Sequence, residues 1–321
     1  MPLVWSASNV ASAIEVGTTP WNWDLYDAPV SLCEQAQQAE RLGFHSFWLP
    51  ENHFGERGVI PSPLLLLAAV AARTSSIRLG TTSFLLPIRP PLLAAEDVAV
   101  LDQLSGGRLI LGVGRGLSGG MFRAFGIDAK EKRKLFRANL DIMLSAWRGE
   151  PVALEEGGKP LLLAPLPLQQ PAPPIWVAAF GPLALQQVAA LGMPYLASPV
   201  ETLPVLEENY RLYREGLAAA GHPPVQTVPV MRSVFVTGDA ALAARARASL
   251  ERLVPTSLQA ADSTADGPAI VGDAAAVRDQ LAEYVERLGI SHLILRGGIP
   301  GIEMQDHLRS NAAVLEIVQS L

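Results

Sequence analysis

One cysteine, Cys33, is all that the 321 residues contain. That excludes an internal disulfide and a cysteine-rich metal cluster, and it leaves a reducing compartment as the plain expectation. Histidine is nearly as scarce. The five imidazoles lie far apart and none has the i, i+4 spacing of a zinc-binding helix, so no metal site is expected. Charged residues make up only 17% of the chain and the net charge is -6. With the basic residues scattered, the footprint of a nucleic-acid binder is missing. Long apolar runs are lacking as well: the longest, LLLLAAVAA over 64–72, ends at Arg73, well short of the roughly 20 residues that span a bilayer. The opening MPLVWSASNV has neither the basic start nor the apolar stretch of a secretory signal. The expectation is a soluble, cytoplasmic protein with neither nucleic acid nor membrane as a partner.

What is present is apolar and regularly patterned. Hydrophobic residues reach 49%, enough for a deep core. Three stretches share one design: AERLGFHSFWLP around Gly43, VAALGMPYLAS around Gly192 and YVERLGISHLILRG around Gly289. In each, a helical pattern ends in Leu-Gly and an apolar strand begins within three residues. Helical stripes recur at Leu32, Ala36, Ala39 and Leu42; at Phe136, Leu140, Met143 and Trp147; at Leu206, Tyr210, Tyr213 and Leu217; and at Val277, Leu281, Tyr284 and Leu288. Further strands are expected in LVWSA near 3–7, IRLGTTSFL at 77–85, LILGV at 109–113, IWVAA at 175–179 and VMRSVFV at 230–236. Continuous apolar runs of this kind suit strands covered on both faces of a parallel sheet.

About eight strands alternating with helices, with no linker midway, predict an α/β protein with a (β/α)8 TIM barrel, a single domain over 1–321 with loop insertions. The proline-rich LAPLPLQQPAPP at 163–174 reads as an extended loop into the fifth barrel strand. The stretch from Pro255 to Pro268 reads as a mobile loop over one end of the barrel.

In such a barrel, chemistry sits on the loops after strands. Those positions hold Glu51, Asn52 and His53; Thr81, Thr82 and Ser83; GVGRGLSGG at 112–120; FGP at 180–182; and RGGIPG at 296–301. Gly114, Gly116 and Gly119 satisfy G-x-G-x-x-G, yet no periodic helix follows at once and no acidic strand end stands about 20 residues on, which argues against a nicotinamide site. Two readings stay open: a glycine-lined path with Arg115 holding a phosphate, or a surface loop with a solvated arginine. For His53 and Glu51 the alternatives are a functional pair and a loop-bridging histidine beside an amide-bound carboxylate. A serine hydrolase is set aside because Ser118 lacks the G-x-S-x-G elbow.

The blocks FWLPENHFGERG, LGTTSFLLP and AAEDVAVLDQLSGGRLILGVGRGLSGGMFRAFGID, spanning about Ala39 to Trp147, resemble the flavin-dependent bacterial luciferase-like monooxygenases, and IVGDAAAVRDQL is similar to that family's last unit. The resemblance implies a (β/α)8 barrel, usually a homodimer. It also implies reduced FMN supplied by a separate flavin reductase, with O2 and a small organic substrate as the other reactants. Arg115 then matches the arginine on the FMN phosphate, with Gly114 and Gly116 beside it. Thr82 and Ser83 match residues beneath the flavin ring, where a non-proline cis peptide is common. Gly181, with Phe180 and Ser198, completes the cofactor side. His53 is expected to do acid-base or hydrogen-bonding work, Asn52 to orient flavin or oxidant, and Glu51 to fix the His53 tautomer or tie the loop.

There are departures from the family pattern. Asn52 stands where luciferases carry a first imidazole, and an amide cannot exchange a proton near neutral pH, so light emission is not expected. Gly114 replaces a reactive cysteine and is expected to open space near the flavin. Phe180, Gly181 and Ala184 replace phosphate-binding side chains, and the loop before the last unit is shorter. The alternatives are a deazaflavin-dependent reductase or dehydrogenase, and a non-catalytic flavin-binding relative. Trp5, Trp21, Trp23 and Phe84 are expected either to line an apolar pocket or to belong to the core.

Overall fold

The computed structural model describes residues 14–21, 28–54, 59–117, 119–153, 157–252, 267 and 269–321. In chain order these form β1 (Glu15–Thr18), α1 (Ala28–Leu42), β2 (Ser46–Leu49), α2 (Pro63–Ala71), β3 (Arg78–Thr81), β4 (Phe84–Leu85), α3 (Pro91–Ser105), β5 (Leu109–Gly114), α4 (Gly119–Ala124) and α5 (Lys132–Trp147). There follow β6 (Ile175–Ala178), α6 (Pro182–Leu191), β7 (Tyr195–Leu196), α7 (Leu203–Ala219), β8 (Pro229–Val236), α8 (Ala240–Glu251), β9 (Ala269–Gly272), α9 (Ala274–Leu288), β10 (His292–Leu295) and α10 (Met304–Gln319). Every strand pairing is parallel, in the order β7-β6-β5-β3-β2-β1-β10-β8-β9, with β4 paired to β5. One further parallel bridge, Ala197 with Val230, links the chain after β7 to β8.

Local chemistry explains the αβ joints. Gly43, Gly192 and Gly289 take φ of 89°, 65° and 70°, the left-handed region that a side chain resists. The strand follows at once because the helix can run no further. The four expected stripes face inward: Phe136, Leu140, Met143 and Trp147 of α5 are fully buried, each worth about 2 kcal/mol in apolar area removed from water. One large core cluster lies between sheet and helices, running from Val16 to Val318.

A second cluster shows how the sheet wraps. Trp48, Ile110, Trp176, Leu196, Met231 and Ile294 come from six different strands and meet in one buried group, which only a barrel-like curvature permits. Trp48 stacks on Trp176 at 4.8 Å. Room for its indole comes from the flanking strands: a Cβ at Gly80 would lie 2.1 Å from the Trp48 ring, and one at Gly17 2.6 Å from its Nε1.

Several expectations need amending. The first strand of the sheet is Glu15–Thr18, where a glycine in a four-residue strand hides the apolar pattern; LVWSA and the Pro255–Pro268 stretch lie outside the described residues apart from Gly267, as do Trp5, Trp23 and Ser118. The strand predicted at 77–85 is two, β3 and β4, with a break at 82–83. IVG at 270–272 pairs with the far half of β8 rather than standing between barrel strands. Trp21 and Phe84 are core residues, 5% and 2% exposed.

Candidate active site

The carboxy ends of the strands are tied together by one buried carboxylate. Glu51 follows β2 with its side chain fully buried. Its Oε1 accepts from Arg89 Nη2 at 2.5 Å and from His53 Nε2 at 2.7 Å, and its Oε2 accepts from the backbone N–H of Leu85 in β4 at 2.9 Å. A buried carboxylate without such donors would be costly; here a guanidinium balances its charge. Arg89 is itself held: Nη1 donates to Leu85 O at 2.8 Å, its guanidinium lies 4.0 Å from the Phe84 ring centre, and Asn139 of α5 donates to its carbonyl at 3.0 Å.

His53 is thereby oriented. An ionised carboxylate only accepts, so Nε2 carries the proton and Nδ1 is left with a lone pair. No partner holds Nδ1 among the described residues. The ring packs edge-on against Phe125 at 5.0 Å, and Phe125 lies 5.4 Å from Phe54. Phe54 and Phe125 are 67% and 41% exposed, and Phe54 takes φ 57°, rare for an aromatic residue. Asn52 is exposed, and its Oδ1 accepts from the Ile60 N–H at 2.5 Å. Its oxygen is committed to closing the loop, which leaves the Nδ2 donors for any other task.

The Thr82–Ser83 peptide is cis, as the resemblance implies. Thr82 N donates to Leu49 O at 2.8 Å, joining this turn to β2. Gly114 does not open a space. A Cβ there would lie 2.0 Å from Ser83 Oγ, because β4 pairs with β5 directly at Leu85 and Gly114. The missing side chain serves that close approach.

Arg115 leads to a different feature. It borders an open hollow of about 550 Å³ together with Lys130, Lys132, Arg133, Lys134 and Arg137. The basic residues taken as scattered in the sequence therefore gather in space. Lys134 pairs with Glu131 and Arg137 with Asp141, but among the described residues no carboxylate pairs with Arg115, Lys132 or Arg133. Burial, and then the charge of Arg133, pulls the Arg115 guanidinium below its ordinary value. Burial, Arg115 and Arg133 do the same to the Lys132 ammonium. Lys132 Nζ donates to Gly116 O at 3.2 Å, so the glycine turn and the start of α5 are held in contact. Three cations crowded without a counter-charge are stable company for a bound anion and poor company for one another.

Gln187 of α6 lines the same hollow and donates to Arg133 O at 3.3 Å. Gly181 opens α6 with φ 80°, and Phe180 before it is 43% exposed. The Ser198 carbonyl accepts from Arg232 Nη1 at 2.9 Å, in a buried network with Glu201 and Tyr284. His53, Glu51 and Thr82 do not line the basic hollow; the link between the two features is the β4–β5 pairing. Sequence reading missed Arg89, Lys132 and Arg133. The run KEKRK at 130–134 was a visible signal for the last two, whereas a lone arginine in LLPIRPP carries none.

A parallel, barrel-like α/β sheet thus carries a histidine–carboxylate pair after β2 and a basic hollow after β5, both at the carboxy ends of its strands, where barrels of this kind place their chemistry. The family model described as luciferase-like monooxygenase matches residues 1–292. The chain belongs to that family and is an oxidoreductase. Among its relatives is the uncharacterized protein y4wF of Sinorhizobium fredii, 31% identical over 81% of this chain and 82% of that one. Another is the oxygenase component of the flavin-dependent trigonelline monooxygenase of Acinetobacter baylyi, 35% identical over 49% of this chain and 44% of that enzyme. The crystal structure of the monooxygenase RslO1 from Streptomyces bottropensis superposes with a TM-score of 0.81 at 25% identity, covering 96% and 99% of the two chains. Fold alone is shared, at lower identity, with two others. The oxygenating constituent of 3,6-diketocamphane monooxygenase from Pseudomonas putida, in complex with FMN, gives a TM-score of 0.79 at 22% identity over 95% and 98%. An F420-dependent secondary alcohol dehydrogenase gives 0.76 at 18% over 96% and 99%. No helix among the described residues is long and apolar enough to cross a membrane.

Proposed function

We propose that this chain is the oxygenase half of a two-component system: it takes reduced FMN from a separate flavin reductase and, with O2, oxidises a small organic substrate without emitting light. The observation that carries the reading is the set Arg115, Lys132 and Arg133, crowded beside the glycine turn without a carboxylate partner. A phosphate dianion fits that need, with the Arg115 guanidinium binding two oxygens in its plane. The hollow's cations would hold the phosphate, the strand ends at Thr82, Ser83 and Gly114 would lie along the ring system, and α6 would add backbone N–H groups near Gly181.

Bound flavin would supply the oxygen chemistry. The chain's own part is to position and to handle a proton. Glu51 holds the His53 ring with Nδ1 available to accept a hydrogen bond from substrate, and Arg89 holds that carboxylate in place. Phe54 and Phe125 shield the imidazole on one side and offer apolar surface to an organic substrate. Asn52, standing where luciferases carry the first imidazole, removes one proton carrier, which supports oxidation without light.

Binding of FMN against riboflavin tests the reading. Arg115→Ala is expected to weaken FMN about 10–100-fold, the loss of a charge-assisted contact, and to leave riboflavin unchanged. Equal loss of both ligands would remove the phosphate assignment. A second reading is favoured by the number of cations in the hollow, which exceeds what one monophosphate neutralises: an F420-type cofactor with a longer anionic tail, detectable as hydride transfer without O2. A third is a flavin-binding protein without turnover, which would bind FMNH2 yet consume no O2.

We further propose a strict (β/α)8 closure through the Ala197–Val230 bridge, a single domain over 1–321, and a homodimer. The outer faces of α2 and α3 leave Leu65, Leu93, Val100 and Leu104 exposed at 73%, 53%, 43% and 62%, an apolar surface that a second copy would cover. The buried free thiol of Cys33 supports a reducing, cytoplasmic setting.

A further inference from the structure

The opposite end of the sheet holds a cluster that the proposed reaction does not use. Glu15 is the first residue of β1 and His292 the first of β10, and the two stand directly in register in that parallel pair. His45 immediately precedes β2, and its backbone N–H bonds Val16 O at 2.8 Å. The three side chains therefore converge at the amino-terminal mouth of three adjacent strands, where the first and last strands of the wrapped sheet meet. Glu15 Oε2 lies 2.5 Å from His292 Nε2 and 3.2 Å from His45 Nε2, and all three ligating atoms fall within 4.8 Å of one another.

We propose that Glu15, His45 and His292 bind one divalent transition-metal ion of the zinc type, which fastens β1 to both β2 and β10. The donor set is two imidazoles and a carboxylate, borderline-soft nitrogen with one anionic oxygen, which suits such an ion and disfavours calcium or magnesium. The spacing suits it as well. Tetrahedral ligands with bonds near 2.0–2.1 Å stand about 3.4 Å apart, so the Glu15–His45 pair is already placed and the Glu15–His292 pair must open by roughly 1 Å. Glu15 is 45% exposed, which allows that shift, whereas His45 and His292 are held more firmly at 25% and 15%.

The contacts around His292 point the same way. His292 Nδ1 lies 2.8 Å from Ser291 Oγ, which also accepts the Val228 N–H at 2.8 Å. This is the outer hydrogen bond by which a metal-ligating imidazole is usually aimed. The His292 ring is further fixed edge-on against Trp176 at 4.8 Å. Solvent reaches Glu15, so the fourth position would take water or a small anion. Arg78, whose positive charge reaches Glu15 and His45, is drawn aside by Leu109 O and Gln169. Wide spacing of the histidines in sequence argued against any such site; the pairing of β1 with both β10 and β2 is what brings them together.

Zinc titration calorimetry on the full-length protein, stripped with a chelator, tests this. The expected result is uptake of one Zn²⁺ per chain with a rise in melting temperature, and binding at least about a hundredfold weaker in both His45→Gln and His292→Gln. Because a variant can misfold, Co²⁺ added to the unaltered protein is the second measurement: visible absorption of a four- or five-coordinate ion is expected. Failure of the unaltered protein to take up either ion overturns the proposal, as does uptake that neither substitution weakens.

Discussion

Two groups of charges at opposite ends of the sheet are treated in opposite ways. Beside α2, at the amino end, the charges of Arg108 and Glu40 are answered within the chain. Arg108 donates five hydrogen bonds, to Ser105 O, Thr74 Oγ1, Ile77 O, Ala71 O and Thr74 O, closing the carboxy end of α2. Glu40 accepts from the N–H groups of Ser75, Ser76 and Ile77 and from Ser76 Oγ. At the carboxy end, Glu51 is fully answered but Arg115, Lys132 and Arg133 are not. Satisfied charges hold a fold together, while unanswered charges of one sign cost stability and mark where something else binds.

The largest effect expected from breaking this contrast is at Glu51. Glu51→Ala leaves the Arg89 guanidinium and the Leu85 N–H without their acceptor, and should cost about 3–5 kcal/mol in denaturant unfolding. A loss under 1 kcal/mol would mean that Arg89 finds another partner. Arg108→Ala and Arg115→Ala form the next comparison, two half-buried arginines at opposite ends. The first is expected to cost about 2–3 kcal/mol through orphaned carbonyls, and the second to leave stability unchanged or slightly raised, since repulsion is relieved. Equal destabilisation would remove the distinction between the two ends.

Glu40 is expected to show the smallest effect. Burial raises its pKa, but the Ser76, Ile77 and Ser75 N–H groups and the Ser76 hydroxyl outweigh that and hold it at about 2, against an ordinary 4.5. A depressed carboxylate adds stability above its unfolded pKa and loses it as pH falls toward the folded one. Glu40→Gln should therefore destabilise by about 1 kcal/mol at neutral pH, after allowance for solvent screening of a partly exposed group. The difference should shrink between pH 4.5 and 2. A penalty independent of pH would show that the hydrogen bonds, not the charge, matter.

How much could be read in advance varied with the range of the interaction. The Leu-Gly joints at Gly43, Gly192 and Gly289 were legible because a C-cap is decided within a few residues. The α5 stripe was legible because its period is that of one helix. β1 was not, since EVGT carries no alternation and its glycine is there to admit the Trp48 indole from the neighbouring strand. Gly114 was misread for the same reason: whether a glycine opens space or lets two chains touch depends on what lies opposite, here Ser83. The aligned motifs pointed to His53, Glu51 and Arg115, but nothing local pointed to Arg89, whose partner stands 38 positions away.

The sequence by itself determined the alternation of helices and strands, the places where each helix stops, and the family to which the chain belongs, because these rest on short-range preferences and contiguous motifs. Only the tertiary structure decided which charges meet: Arg89 with Glu51, Lys132 and Arg133 with Arg115, His45 and His292 with Glu15. Those meetings follow from the order of strands in the sheet, and that order is set by packing of the whole chain rather than by any segment of it.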